Sequence, residues 1–340
     1  EKVDELNERN SGLLRYIDPH PFVPSDPAMR DEHCQEVVGM QVSALKRRLK
    51  SVYRGKPLKV AIGVSGGSDS TLALLIVVCA FDELGWDRSL IHAYTMPGPG
   101  TTSRTKGNAY GLMEGLGVSI HEEPIEALAA EALRRAGHEP CWKCVQCENG
   151  QARARTMILM STGCFVIGTG DLTEIALGWC TYNADHMSMY NPNASVPKTL
   201  VKHQIAWLAE QESFASVEQY LQDVLITPVS PELIKPDKDE IQQKSEDILG
   251  PYELHDFFLY WFIRFGKSPD VIARLAMEAF AGDYHWNKIV DTLEIFYRRF
   301  GNGSQFKRDC VPGGPKIGTV SLSPRGDWRM PSEATLDSWY

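Results

Sequence analysis

The stretch LKVAIGVSGGSDSTLALLIVVCAFDELG, residues 58–85, constrains the fold more than any other part of the chain. A short β-branched run over 58–64 is bounded by Pro57 and a Gly-Gly loop, and a helix-length apolar stretch over 71–85 closes on Gly85. This reads as strand, glycine-rich turn, helix. The unit recurs: LIHAYTM (90–96) precedes a Gly/Thr loop and NAYGLMEGLG, VSIHEEPI (118–125) precedes EALAAEALRRAG, and CFVIGTGD (164–171) precedes TEIALGW. Strands alternating with helices at this spacing predict an α/β fold with a doubly wound parallel sheet, whose ligands lie at the carboxyl ends of the strands. Ahead of the sheet, apolar residues at helical steps over 32–51 (Val37, Met40, Val42, Leu45, Leu49) predict a helix. The expected division is a polar lead-in over 1–31, an α/β core over 32–227 and a helical, irregular C-terminal part of the same domain over 228–340.

Composition excludes several classes. With 340 residues, 43% apolar and 23% charged, the chain can bury a full core. A net charge of −9 argues against a broad nucleic-acid footprint, which needs clustered Lys and Arg. No apolar run approaches the roughly 18–20 residues of a membrane span, and the N-terminal EKVDELNERN is charged, unlike a signal peptide. A soluble, cytoplasmic protein with eight reduced cysteines is expected.

The loop SGGSDS, 65–70, offers two readings. Two glycines after a strand let the backbone approach an anion, and the following helix presents N–H groups and a positive dipole end to it. The same string also suits an ordinary strand-to-helix turn capped by Ser68 or Asp69. It lacks the Gly-Lys-Ser/Thr ending of a Walker A loop. Asp171-x-x-Glu174 likewise reads, alone, as a capping box.

Taken together, the motifs narrow the choice. SGGSDS resembles the pyrophosphate loop of the N-type ATP pyrophosphatases, and GTGDLTEIALGW (168–179), TYNADHMSMYN (181–191) and SVPKTL (195–200) resemble NAD synthetases, in particular the synthetase half of the glutamine-dependent kind. The likeness continues through GPYELHDFFLY (250–260), FYRRF (296–300), SQFKR (304–308) and SLSPRGDWRMPS (321–332). The resemblance implies ATP binding by Gly63, Val64, Ser65, Gly66, Gly67, Ser68, Asp69, Ser70 and Thr169. It implies Mg²⁺ at Asp69 and Glu174, phosphate contact by Lys198, and deamido-NAD or a related pyridinium nucleotide held by Asn149, Glu174, Trp179, Cys180, Thr181, Tyr182 and Lys307. Asp69, Glu174 and Lys198 are the catalytic candidates, in an adenylation of the nicotinate carboxylate followed by displacement of AMP by ammonia. It also implies a homodimer. The chain has no stretch that reads as a glutaminase domain, so a separate glutaminase or sulfur-donor partner is an expectation.

The chain departs from the family at PCWKCVQCENGQAR, 140–153, where the resembling enzymes commonly read PEVHDVTYENxQAR. Cys141, Cys144 and Cys147 stand at C-x2-C-x2-C. The spacing matches part of the bacterial ferredoxin run, so a [4Fe–4S] cluster is one reading. Zinc is another, with a fourth ligand to be found at His138, Cys164 or Cys180. Redox-active thiols and buried filler are the others. A cluster with an open iron could present hydrosulfide to the acyl adenylate, making sulfur insertion an alternative second half-reaction, and a non-catalytic precursor-binding sensor is a third function.

Overall fold

The computed structural model describes residues 15–53, 55–227 and 245–337. The first helix among the described residues, α1 (Pro27–Val52), begins five residues inside the expected lead-in, because Asp26 accepts a hydrogen bond from Ala28 N and Pro27 occupies the first turn. Of the residues expected on its buried face, Val37, Val42, Leu45 and Leu49 are buried, whereas Met40 is 40% exposed and Gln41 is buried in its place.

The repeating strand–helix pattern then forms as expected. It comprises β1 (Val60–Gly63), α2 (Ser68–Leu84), β2 (Ile91–Thr95), α3 (Ser103–Leu116), β3 (Ser119–Glu122) and α4 (Glu126–Arg135). It continues with α5 (Val145–Ser161), β4 (Phe165–Ile167) and α6 (Leu172–Leu177). The four strands are parallel, in the order β3-β2-β1-β4. Connections run outward from β1 to β3, then return across to β4, so the topological switch lies between β1 and β4. Two further helices, α7 (Lys198–Ala209) and α8 (Glu218–Ile226), join α1, α2 and α3 over one face of the sheet, in a core with Val60, Ile62, Ile91 and Ala93. A smaller cluster of Met96, Ile125, Ala129 and Ala154 packs α4 and α5 against the other face. No described helix is long and apolar enough to cross a membrane.

Residues 228–244, part of the stretch read as irregular, lie outside the described residues. Beyond them come α9 (Ser245–Leu249), α10 (Tyr252–Leu259), α11 (Pro269–Ala279), α12 (Trp286–Asn302) and the single turn α13 (Gln305–Arg308). Their apolar faces form a second core rich in aromatics, including Phe257, Phe258, Phe262, Phe296 and Phe300, and α6 contributes Leu172, Ile175 and Leu177 to it. The short helix α6 therefore ties the helical region to the carboxyl end of β4.

His255 lies within this second core with no exposed surface, its Nε2 2.8 Å from the Leu249 carbonyl oxygen. Burial holds its pKa down to about 4, from an ordinary 6.5. A depressed folded-state pKa gives stability that is present above 6.5 and lost as pH falls through 4. Denaturant unfolding across that window should lose about 3 kcal/mol from this group. His255→Leu, although less stable near neutrality, should show a correspondingly flatter decline.

Candidate active site

The site begins where β1 ends. Gly66 has φ +90°, and a Cβ there would lie 2.5 Å from the Thr105 carbonyl oxygen, so only glycine fits. Ser70 Oγ donates to Gly67 O (3.1 Å) and accepts from Ser65 N (3.3 Å), while Ser65 Oγ accepts from Gly67 N (3.2 Å). These bonds set the turn. The cap position of α2 is Gly67, with no side chain closing it, which corrects the reading of Ser68 or Asp69 as a cap: both lie inside the helix. An uncapped helix start offers N–H groups and a positive dipole end to an anion.

The loop leaving β4 lies beside this turn, across the switch point. Asn193 Nδ2 donates to the carbonyl oxygens of Asp69 (3.0 Å) and Thr169 (3.1 Å), locking the two loops together. At the start of α6, Asp171 Oδ1 accepts from Glu174 N (2.8 Å) and Glu174 Oε2 accepts from Asp171 N (3.4 Å), so the capping box forms. The same two residues also do something else. Lys198 Nζ stands 2.6 Å from Asp69 Oδ2, 2.7 Å from Asp171 Oδ2 and 3.0 Å from Glu174 Oε1, with the lysine side chain only 2% exposed. Lys198, the residue expected to contact an ATP phosphate, is held among three carboxylates.

The surroundings fix that lysine. Lys198 N donates to Thr173 Oγ1 (3.0 Å), and the buried Asp256 accepts from Thr199 N (2.9 Å), Thr199 Oγ1 (2.7 Å) and Thr173 Oγ1, so α10 anchors the start of α7. The Tyr252 ring lies 5.3 Å from the ammonium. Burial raises Glu174 to about 7, with Lys198 opposing and Asp69 adding to the rise. Burial also lifts Asp171 well above the carboxylate range. Lys198 is pulled down by burial, yet Asp171, Asp69 and Glu174 hold it well above the usual lysine value.

Apart from Glu174, the expected nucleotide-substrate residues gather at the other end of α6, which at six residues is about 9 Å long. Gly178 closes the helix in the left-handed conformation, and Lys307 Nζ donates to Gly178 O (2.8 Å) and Cys180 O (2.6 Å). Thr181 Oγ1 donates to Asn149 Oδ1 (2.8 Å), bringing α5 to the same loop. Tyr182 is exposed and pairs with the exposed ring of Phe306, centroids 5.1 Å apart. Trp179 is covered by the Arg299 guanidinium at 4.8 Å. Burial pushes the Cys180 thiol upward, so it is a poor thiolate here.

Cys141, Cys144 and Cys147 converge with His138 at the start of α5, their ligating atoms all within 4.8 Å of one another. Cys164 and Cys180, the other candidates for a fourth ligand, are not in this group.

Sequence reasoning missed Asp171 as a charged member of the site, since its capping role accounts for the residue locally. It also missed Asn193, Tyr252 and Asp256. Asn193 stands in YNPNASVP, where nothing in the spacing signals a bridge between loops.

Residues 41–287 match the sequence model of the family described as NAD synthase. The glutamine-dependent NAD(+) synthetase of Mycobacterium leprae is 42% identical over 358 aligned positions, covering 97% of this chain and 52% of that protein. That of Mycobacterium tuberculosis (strain ATCC 25618 / H37Rv) is 42% identical over 356, covering 96% and 52%. The chain thus spans about half the length of the curated relatives it matches. Among solved structures, a glutamine-dependent NAD(+) synthetase from Cytophaga hutchinsonii superposes with TM-score 0.71 at 15% identity, over 89% of this chain and 54% of that one. The NMN synthetase of Francisella tularensis gives 0.57 at 20%, over 82% and 94%. At these identities the two structures bear on the fold alone. Because the family match spans most of the chain and relatives at 42% identity extend it to nearly all of it, this chain belongs to the NAD synthase family.

Proposed function

We propose that this chain activates the nicotinate carboxylate of deamido-NAD with ATP and transfers the acyl group to ammonia, yielding NAD, AMP and pyrophosphate. The observation that carries the reading is the Lys198–Asp69–Asp171–Glu174 group beside the uncapped start of α2, with the Asn149–Thr181–Lys307 group at the far end of α6. A carboxylate oxygen attacks the α-phosphorus, the bond to the bridging oxygen breaks, and pyrophosphate leaves with its electron pair. The Ser65–Gly67 turn and the uncapped start of α2 would bind that leaving group, since free helix N–H groups and the positive dipole end favour an anion. Ammonia then attacks the carboxyl carbon, AMP departs, and one proton passes to solvent. No nucleophilic side chain is needed.

The residues present fit a magnesium ion. Three carboxylates face one ammonium, and Asp69 Oδ1 is buried with no hydrogen-bond partner among the described residues. Hard carboxylate oxygens suit Mg²⁺, so Asp69 and Glu174 would hold it. When bound, it would neutralise charge on the phosphates. The names of the relatives support nitrogen rather than sulfur as the second nucleophile, with glutamine as its ultimate source. The homodimeric, cytoplasmic setting expected from the sequence is proposed on family membership.

The test is pyrophosphate release coupled to NAD formation. With ATP, Mg²⁺, deamido-NAD and ammonium, the two products should appear in equal amounts. Release of pyrophosphate without a carboxylate substrate, or none with deamido-NAD, would sink the reading. In the same assay Lys307→Ala should raise KM for deamido-NAD by at least about tenfold and for ATP much less, since a lost charged contact costs roughly 1.5–3 kcal/mol. Equal rises would mean that Lys307 only braces the 178–180 loop.

A further inference from the structure

We infer that His138, Cys141, Cys144 and Cys147 form a structural zinc site that staples the connection between α4 and α5. The four residues repeat at every third position, H-x2-C-x2-C-x2-C. Their ligating atoms all lie within 4.8 Å of one another, close enough to share one small ion. The Sγ–Sγ separations are 3.4 Å (Cys144–Cys147) and 3.8 Å (Cys141–Cys147), and His138 Nε2 lies 3.2 Å from Cys144 Sγ and 3.5 Å from Cys147 Sγ. A tetrahedral zinc with Zn–S of about 2.3 Å and Zn–N of about 2.0–2.1 Å has edges of about 3.8 Å between sulfurs and about 3.5 Å between sulfur and nitrogen. The observed edges match within a few tenths of an ångström.

The iron–sulfur reading fails on the same distances. Each cysteine of a cubane binds a separate iron at its own corner, which spreads the sulfurs to about 6 Å or more apart. Converged thiols cannot hold it without opening the loop, and the fourth member is an imidazole, a familiar partner of three thiolates on zinc.

Two further observations support a ligand. Trp142 has φ +57°, a left-handed conformation that is an outlier for a bulky residue. That conformation directs Trp142 N–H at Cys147 Sγ, 3.3 Å away, the kind of amide-to-thiolate bond that orients a metal-bound sulfur. The ring meanwhile packs on the Met96–Ile125–Ala129 cluster, anchoring the loop. Charge also balances: Zn²⁺ on three thiolates leaves one negative charge at the start of the 17-residue helix α5, where the dipole is positive. Binding displaces the thiol protons to solvent. Cys147 is fully buried and Cys141 exposed, so the ion is anchored inside yet can be loaded from outside.

The position gives the site its role. His138 N bonds to the Leu133 carbonyl oxygen (2.9 Å) at the end of α4, while Cys147 lies two residues before Asn149, whose side chain meets Thr181. Zinc would fix the start of α5 and so the setting of Asn149. This inference does not depend on the proposed activity.

The decisive measurement is metal analysis of the purified full chain. One equivalent of zinc per chain is expected, and replacement by Co²⁺ should give the intense visible absorption of a tetrahedral thiolate site. His138→Ala and Cys144→Ser should each weaken zinc at least about tenfold in competition with a chelator, whereas Cys164→Ser, outside the cluster, should retain it. Iron with acid-labile sulfide would overturn the inference, as would metal-free protein, a disulfide among the three cysteines, or zinc unaffected by both ligand variants. The wild-type metal content decides even if a variant fails to fold.

Discussion

Lys198→Met is expected to abolish pyrophosphate release and to destabilise the fold by about 3–5 kcal/mol, the usual cost of removing one partner from a buried ion pair. Methionine retains most of the volume, so packing around the side chain, which is 2% exposed, changes little. What is lost is the only cation that contacts Asp69, Asp171 and Glu174 among the described residues. The deficit should therefore depend on pH. Glu174 already stands at about 7, raised by burial and restrained by Lys198, and without the ammonium it should rise further. A raised folded-state pKa gives stability that is present below the ordinary value of 4.5 and lost as pH rises through the folded value. Urea unfolding should show variant and wild type converging toward acid pH and separating as pH rises past neutrality. A deficit independent of pH would mean that the lysine acts through its aliphatic stem.

Much of this site was legible because its parts are consecutive in the chain. SGGSDS lies at the end of a β-branched run, so the loop, the helix after it and its place at the carboxyl edge of the sheet followed from local pattern. The same locality misled where one residue serves two ends. Asp171 satisfies a capping box, which explains it fully at short range, and only the fold brings Lys198, 27 positions further on, against its other oxygen. Helix α5 was hidden because its mean pattern is weakly amphipathic and its start carries cysteines rather than a cap. His138 as fourth partner could be named among candidates, but the choice over Cys164 and Cys180 needed the left-handed turn at Trp142, which no spacing rule forecasts for tryptophan.

The carboxylates should respond in the opposite sense from Lys198. Asp69→Asn and Glu174→Gln are each expected to lower kcat by about 10²-fold or more while leaving stability unchanged or raised. Three carboxylates share one ammonium, so neutralising one relieves like-charge repulsion in a buried place. The glutamine variant separates charge from scaffold. Position 174 is the third residue of α6, where Gln serves a capping box as well as Glu does, so the helix start should survive. The Mg²⁺ assignment has its own readout. A cation bound to the native state alone raises stability by about 2.7 kcal/mol at 100 times its Kd, so thermal midpoints should climb with Mg²⁺ in the wild type and barely move in either variant. If both variants keep full turnover and the full Mg²⁺ response, Asp69 and Glu174 serve only to hold Lys198, and the cation must bind elsewhere.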